Sequence, residues 1–521
     1  MTPATPNRLS DRPTVNALPQ TFQTSVMNRA SLFCSLLTAS TLITSTFLAP
    51  VQNPLAQAQF SIPVINETGF EAISERASDQ AINAFIETLM ADKQIPGLSL
   101  AVVHDGKLIK TKAYGQLNRN LNVHARPSSI FPIASISKPF TATAMMLLVQ
   151  DGLLDLDAPI SRYLSDTPSD WQTITSRHLL THTSGLSEAA YENNLRDLQT
   201  LEGFFNAAKE SPLMFEPGES WTYSNTNYNL AALLIETISE QPFESFMKSR
   251  IFDPLGMTHT DAIRDSYQFN NFATGYFLDN NNILQPDALA RFFKPKFAPI
   301  FYGSGSITST ATDLARWAIA MQKGELLTDE SRAAMEQAVV MNSDRTFQYG
   351  LGWFVDKQQG HRIISHGGNL GGFSTGISRF PDDKLTIIVL TNKAAEDGDA
   401  IAKSIAEQYI PQLAFEINAP TQRDPHPALT EQLRQLANGN TSAIAFTPEW
   451  EIMLTTPRGQ LGWQTYREEM PPIQALELIQ QEPHANGTRY YYRAITAQDN
   501  RLLTFVITPN NQIAALGTAP H

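Results

Sequence analysis

The sequence predicts an α+β protein: an antiparallel sheet flanked by a helical region, followed by a small C-terminal α+β domain. Two strand pairs far apart in the chain carry that expectation. Residues 98–103 and 108–110 read as strands around the turn Asp105-Gly106, and residues 373–380 and 385–390 read as strands around Pro381-Asp382-Asp383-Lys384. Between the pairs, apolar residues recur at helical spacing over 139–150, 227–240 and 312–323, the last opening at the capping candidate Thr310. Strands at both ends of a domain with helices between them make such a body.

A first helix is expected over 70–90, where Phe70, Ile73, Ala77, Ala81, Ala84, Phe85 and Leu89 share one face. Near the other end, Pro411, Pro420, Pro425 and Pro427 mark a linker. Beyond it a helix at 429–437 and strands at 489–496, 502–508 and 512–516 form the small module. The expected domains are therefore a body over 70–415 and an accessory unit over 425–521.

Composition narrows the function. With 42% apolar and 17% charged residues the chain is globular rather than disordered. A formal net charge of −13 argues against a nucleic-acid partner, whose phosphates need clustered Lys and Arg. At the N-terminus, Met27-Asn28-Arg29 precedes an apolar run through Leu32, Phe33, Leu36, Leu37, Leu42, Ile43, Phe47 and Leu48, then Ala56-Gln57-Ala58. A basic start, an apolar middle and an A-x-A site make a secretory signal, so a periplasmic or secreted protein is expected. An uncleaved membrane anchor is the competing reading, weakened by the Ser and Thr residues that interrupt the run. Residues 1–58 are set apart as extension and signal, and the single cysteine, Cys34, falls among them. Removal of that segment leaves no thiol, which excludes cysteine catalysis and cysteine metal sites.

Three short motifs carry chemistry. Ser135-Ile136-Ser137-Lys138 stands where the extended run Ile130-Phe131-Pro132-Ile133 meets a helix, with Pro139 fitting its first turn. Three residues apart, Ser135 and Lys138 share a helix face, so the amine can reach the hydroxyl. The helix start stabilises negative charge on Oγ, and the backbone N–H of Ser135 can serve an oxyanion hole. A second tetrad, Ser245-Phe246-Met247-Lys248, sits mid-helix, where a serine is ordinary filler. Tyr223-Ser224-Asn225 follows the turn Glu216-Pro217-Gly218-Glu219 and precedes an apolar helix. A tyrosine beside an ammonium can act as general base, and Asn225 can hold a substrate carbonyl. Tyr191-Glu192-Asn193 repeats the pattern in a polar stretch and is set aside. His366-Gly367-Gly368 leads through Asn369 into the strand at Phe373, its glycines allowing close approach to a ligand.

The order S-x-x-K, Y-x-N about 90 residues on, and Lys/His-x-Gly about 140 further resembles class C β-lactamases and related carboxypeptidases and esterases. Supporting stretches are Leu179-Leu180-Thr181-His182-Thr183-Ser184-Gly185-Leu186, Gly303-Ser304-Gly305-Ser306, Phe252-Asp253-Pro254-Leu255-Gly256-Met257 and Tyr349-Gly350-Leu351-Gly352-Trp353. The resemblance implies a serine hydrolase without metal or organic cofactor. Ser135 would be its nucleophile, Lys138 and Tyr223 would share the proton, and Asn225, His366, Gly367, Gly368 and Asn369 would hold the substrate. A small-molecule or peptidoglycan-peptide-like substrate follows, and His182 is read as structural. His366 replaces the lysine usual in β-lactamases, so its charge is expected to follow pH, which tilts the reading toward an esterase, peptidase or amidase. The alternative is an inactive penicillin sensor or an interaction protein using the same pocket.

Overall fold

The inner strands of the central sheet are apolar on both faces, which is why they read as unbroken runs. The computed structural model describes residues 77–188, 200–262, 271–279, 281–286, 301–394 and 396–519; the expected signal segment lies outside them. Seven strands form the sheet: β1 (Gly97–His104), β2 (Lys107–Asn118), β3 (Val123–His124), β4 (Phe354–Gln358), β5 (His361–Leu370), β6 (Phe373–Phe380) and β7 (Leu385–Thr391). Their spatial order is β4-β5-β6-β7-β1-β2-β3, all neighbours antiparallel. The two strand pairs thus close into one sheet, Leu98 facing Thr391 and His104 facing Leu385.

Alternation sorts the side chains of β1 and β7. Leu98, Leu100, Val102, Ile387 and Val389 pack with helices α1 (Ala77–Asp92) and α5 (Gly398–Glu407). Ala101, Val103, Ile388 and Leu390 face the helical region on the other side. That region is built on α2 (Ser137–Gln150), buried from Ser137 to Leu148, with α3 (Asn225–Ser239) and α4 (Ala311–Lys323) around it. Phe140 of α2 stacks on Trp317 of α4 at 4.0 Å. Thr310 caps α4 as expected, accepting from the Asp313 N–H, and Gly324 ends it in the left-handed conformation. The first helix begins at Ala77; the expected turns before it lie outside the described residues.

The C-terminal module holds more structure than the sequence reading assigned. Beside the expected helix α6 (Pro427–Ala437) it carries a helical hairpin, α7 (Pro448–Thr455) and α8 (Pro457–Glu469). Its sheet is a four-stranded meander, β8 (Ile473–His484), β9 (Gly487–Thr496), β10 (Asn500–Ile507) and β11 (Ile513–Ala519). Signals for the hairpin were present: Thr447-Pro448 and Thr456-Pro457 each place a capping residue before a first-turn proline. Gly459 and Gly462 obscured them by lowering helix propensity. Bulges between Ile473 and Ala475 and between Leu478 and Gln480 broke the alternation that would have revealed β8. The proline-marked linker is a packed strap, with Phe415, Ile417 and Ala419 laid on Ile479, Tyr491 and Leu502.

Gly376 of β6 and Gly398 at the start of α5 meet backbone to backbone, and a Cβ on either would overlap the other's main chain. We expect Gly376→Ala to lower unfolding free energy by about 1–3 kcal/mol or more, read by urea denaturation. An unchanged midpoint would mean that strand and helix are not in contact.

Candidate active site

Ser135 lies in a strained turn. The chain arrives through Phe131–Pro132, paired with Ile307–Ser309, and Ala134 then takes a positive φ of 49°. A short 3-10 turn, Ala134–Ile136, delivers the serine, and α2 proper starts at Ser137, two residues later than the hydroxyl it presents. Three contacts hold this turn. Ser137 Oγ accepts from the Ile307 N–H at 3.1 Å, and Thr375 Oγ1 donates to the Ile133 carbonyl at 3.0 Å. Gly368 is the third: a Cβ there would overlap the Ile133 carbonyl. This glycine therefore admits the nucleophile turn rather than a ligand. Gly367 instead lines the cavity in front of Ser135, where a Cβ would have Asp399 Cβ no closer than 3.6 Å.

Lys138, fully buried, points its ammonium back at Ser135. Nζ donates to Ser135 Oγ at 3.2 Å, to Asn225 Oδ1 at 2.8 Å and to the Ser304 carbonyl at 2.9 Å. It also lies 4.6 Å from the Tyr223 ring centroid. S-x-x-K and Y-x-N, 87 residues apart between Lys138 and Asn225, thus meet through one cation. Ser304, which the sequence reading did not single out as a site residue, presents its carbonyl from the turn Tyr302–Gly305. Gly303 is needed there because a Cβ would overlap the Tyr228 carbonyl.

His182 secures the tyrosine loop. It sits in the left-handed conformation, and its Nδ1 accepts from the Ser224 N–H at 3.1 Å. Its ring lies 4.5 Å from that of Tyr223. The first helix turn after the loop is closed by Glu188, whose carboxylate accepts from the Asn225 N–H. Trp221, stacked on Phe347 at 3.7 Å, braces the other side.

His366 is placed beside Tyr223 but differs from expectation in charge. Its ring centroid is 6.3 Å from that of Tyr223, and burial, with the Lys138 cation next, pushes its pKa down to about 3. The ring is therefore neutral at physiological pH rather than poised to titrate. Its Nδ1 is 2.6 Å from the Gly367 carbonyl and so carries the proton, leaving Nε2 to accept from the Tyr349 hydroxyl at 3.1 Å. Tyr349 comes from the Tyr-Gly-Leu-Gly-Trp stretch.

These residues open on a cavity of about 740 Å³ that Ser135, Tyr223, Asn225, His366, Gly367 and Asn369 line together. The second tetrad is elsewhere: Ser245 is exposed, and Lys248 pairs with Asp253 at 2.5 Å. Tyr191-Glu192-Asn193 lies outside the described residues. Among the described residues no three His, Cys, Asp or Glu side chains gather as a metal site.

A buried neutral histidine makes stability fall with acid. Between its ordinary value of 6.5 and its folded value of about 3 the unfolded chain binds the extra proton, so stability is present above pH 6.5 and is lost on descent toward pH 3. His366→Gln should flatten the stability–pH slope in that window by up to about 1.4 kcal/mol per pH unit, measured by denaturation at pH 4 to 7. An unaltered slope would place the imidazole in water.

Comparison with known proteins agrees with this geometry. The Beta-lactamase family model matches residues 82–410. The chain is 30% identical to penicillin-binding protein 4* of Bacillus subtilis over 331 residues, 60% of this chain and 71% of that protein. The octameric penicillin-binding protein homologue of Pyrococcus abyssi shares its fold at a TM-score of 0.57 and 20% identity, over 83% of this chain and 96% of that one. The D-amino acid amidase of Ochrobactrum anthropi, solved with L-phenylalanine amide, aligns at a TM-score of 0.54 and 25% identity, over 65% of this chain and 98% of that one. With the family match spanning the sheet, the helical region and every motif above, the chain belongs to the Beta-lactamase family of serine hydrolases.

Proposed function

We propose that the protein is an exported serine hydrolase that cleaves an ester, amide or D-Ala-type peptide through an acyl-enzyme on Ser135, and is not an efficient β-lactamase. The observation that carries this reading is the Lys138 ammonium, set against Ser135 Oγ and held by Asn225 Oδ1 and the Ser304 carbonyl. Donating to Ser135 Oγ, Asn225 Oδ1 and the Ser304 carbonyl, the Lys138 ammonium stabilises negative charge developing at Oγ. Tyr223, its ring centroid 4.6 Å from Nζ, serves as general base in this mechanism.

Ser135 Oγ attacks the carbonyl carbon as its proton passes to Tyr223, and the backbone N–H groups of Ser135 and Asn369 hold the oxyanion. Collapse expels the alcohol or amine, which takes the proton from Tyr223. Water, deprotonated by the same phenolate, then hydrolyses the acyl group and restores Ser135. Asn225 has its Oδ1 committed to Lys138, so its amide nitrogen is the part that serves a substrate carbonyl. His366 orients rather than binds: its ring nitrogens are engaged by Gly367 and Tyr349, and it supplies no cation for a β-lactam carboxylate. Similarity to an amidase and to a penicillin-binding protein supports amide and peptide substrates. The basic start, apolar run and Ala56-Gln57-Ala58 support export.

Ser135→Ala should lower kcat/KM on a p-nitrophenyl ester by about 10⁴-fold or more, while Ser245→Ala matches the parent. A fluorophosphonate should add mass at Ser135 alone. Undiminished turnover by Ser135→Ala would sink the mechanism.

A further inference from the structure

The cavity in front of Ser135 is not closed by the hydrolase body. Part of its wall comes from the C-terminal module: Trp450, Met453 and Leu454 of α7 and Trp463 of α8 line the same cavity as Ser135, together with Phe301 and Leu370 of the body. Trp450 is fixed in place, its indole N–H donating to the Ala514 carbonyl at 2.8 Å.

The hairpin is anchored to the body at its base. Glu449, the residue before Trp450, is 5% exposed and accepts from Arg345, whose Nε is 3.0 Å away. Arg345 neighbours the short strand Thr346–Phe347, where Asn486 of the module accepts from the Thr346 N–H at 3.0 Å and donates back to its carbonyl at 2.6 Å. On the same strand Phe347 stacks on Trp221, two residues from Tyr223. Arg489 of β9 adds a hydrogen bond to the Lys357 carbonyl at 2.9 Å and an ion pair with Asp356 at 2.6 Å. A carboxylate buried in this way is stable only while its partner stays, so the hairpin is held over the site rather than resting there loosely.

We propose that the α7–α8 hairpin is the apolar wall of a substrate subsite, and that the protein selects esters or amides bearing a bulky apolar substituent, a medium-length alkyl chain or an aromatic ring, beside the scissile bond. Two indoles, a thioether and Leu454 desolvate such a group, while the carboxylates of Asp397 and Asp399 line the cavity from the body. A cavity of about 740 Å³ holds a substituent of that size together with the reacting carbonyl. The inference rests on the serine hydrolase reading for the reaction, though not for the binding.

Gly462 of α8 gives the test. It lines the cavity, and a Cβ there meets nothing within 4 Å, so a side chain can be added without disturbing the helix. Two ester pairs are compared: p-nitrophenyl octanoate against acetate, and octyl acetate against ethyl acetate. In the parent at least one octyl-to-short ratio of kcat/KM should exceed tenfold, and Gly462→Phe should lower that ratio at least tenfold. Flat ratios in the parent, or ratios untouched by Gly462→Phe, overturn the proposal. The Ser135→Ala protein separates this failure from that of the hydrolase reading. It should bind the neutral fluorophore N-phenyl-1-naphthylamine, at least fivefold more weakly once Gly462→Phe is added. Binding of that kind with no ester turnover in the parent would overturn the reaction and keep the wall. Absent or Gly462-independent binding would overturn the wall.

Discussion

One buried charge organises the hydrolase body. Lys138 carries its ammonium into the interior, where an uncompensated cation would be intolerable, and compensation comes from three separate stretches of chain. The 3-10 turn supplies Ser135 Oγ, the start of α3 supplies Asn225 Oδ1, and the turn Tyr302–Gly305 supplies the Ser304 carbonyl. Each lowers the cost of burying the cation by a hydrogen bond. The requirement reaches further out, because each provider has supports of its own. Thr375 and Gly368 fix the turn before Ser135, His182 fixes the loop before Asn225, and Gly303 lets its turn press on α3. The family stretches around Thr181-His182-Thr183 and Gly303-Ser304-Gly305 are thus scaffolding for a cation.

Legibility in the sequence followed the range of the interactions involved. The tetrad, the tyrosine motif and the hairpin turns are local, and strand limits such as Phe373–Phe380 were readable from their own residues. Positions whose meaning depends on distant packing were not. The pattern His-Gly-Gly suggests room for a ligand, yet Gly368 makes room for the Ile133 carbonyl from a turn more than two hundred residues earlier. An imidazole in water titrates near neutrality; only burial against Tyr349 and Phe354, beside Lys138, makes His366 neutral. Ser304 acts through a backbone carbonyl, which no side-chain pattern can announce. The hairpin α7–α8 left its mark in two Thr-Pro pairs, but nothing local said that its apolar face would turn to a site in another part of the chain.

Exchange of a lysine for His366 changes the character of the site more than its shape. Lysine there would add a second fixed cation near Lys138, suited to a substrate that brings its own carboxylate. A neutral imidazole, with both nitrogens engaged, leaves Lys138 as the one cation among the site residues described and makes the strand edge a surface of backbone groups. Paired with the apolar wall of the hairpin, such a site distinguishes substrates by bulk and hydration.

The central sheet also fixes when this site can come into being. β1 is apolar on both faces, and its partner on one side, β7, is made only after the whole helical region has left the ribosome. Until then the β1–β2 hairpin offers an unpaired greasy edge, the kind of surface that captures other chains. Pairing across so long a loop is slow, since closure entropy is lost before any contact repays it. The longer that edge waits for β7, the more a neighbouring chain competes for it.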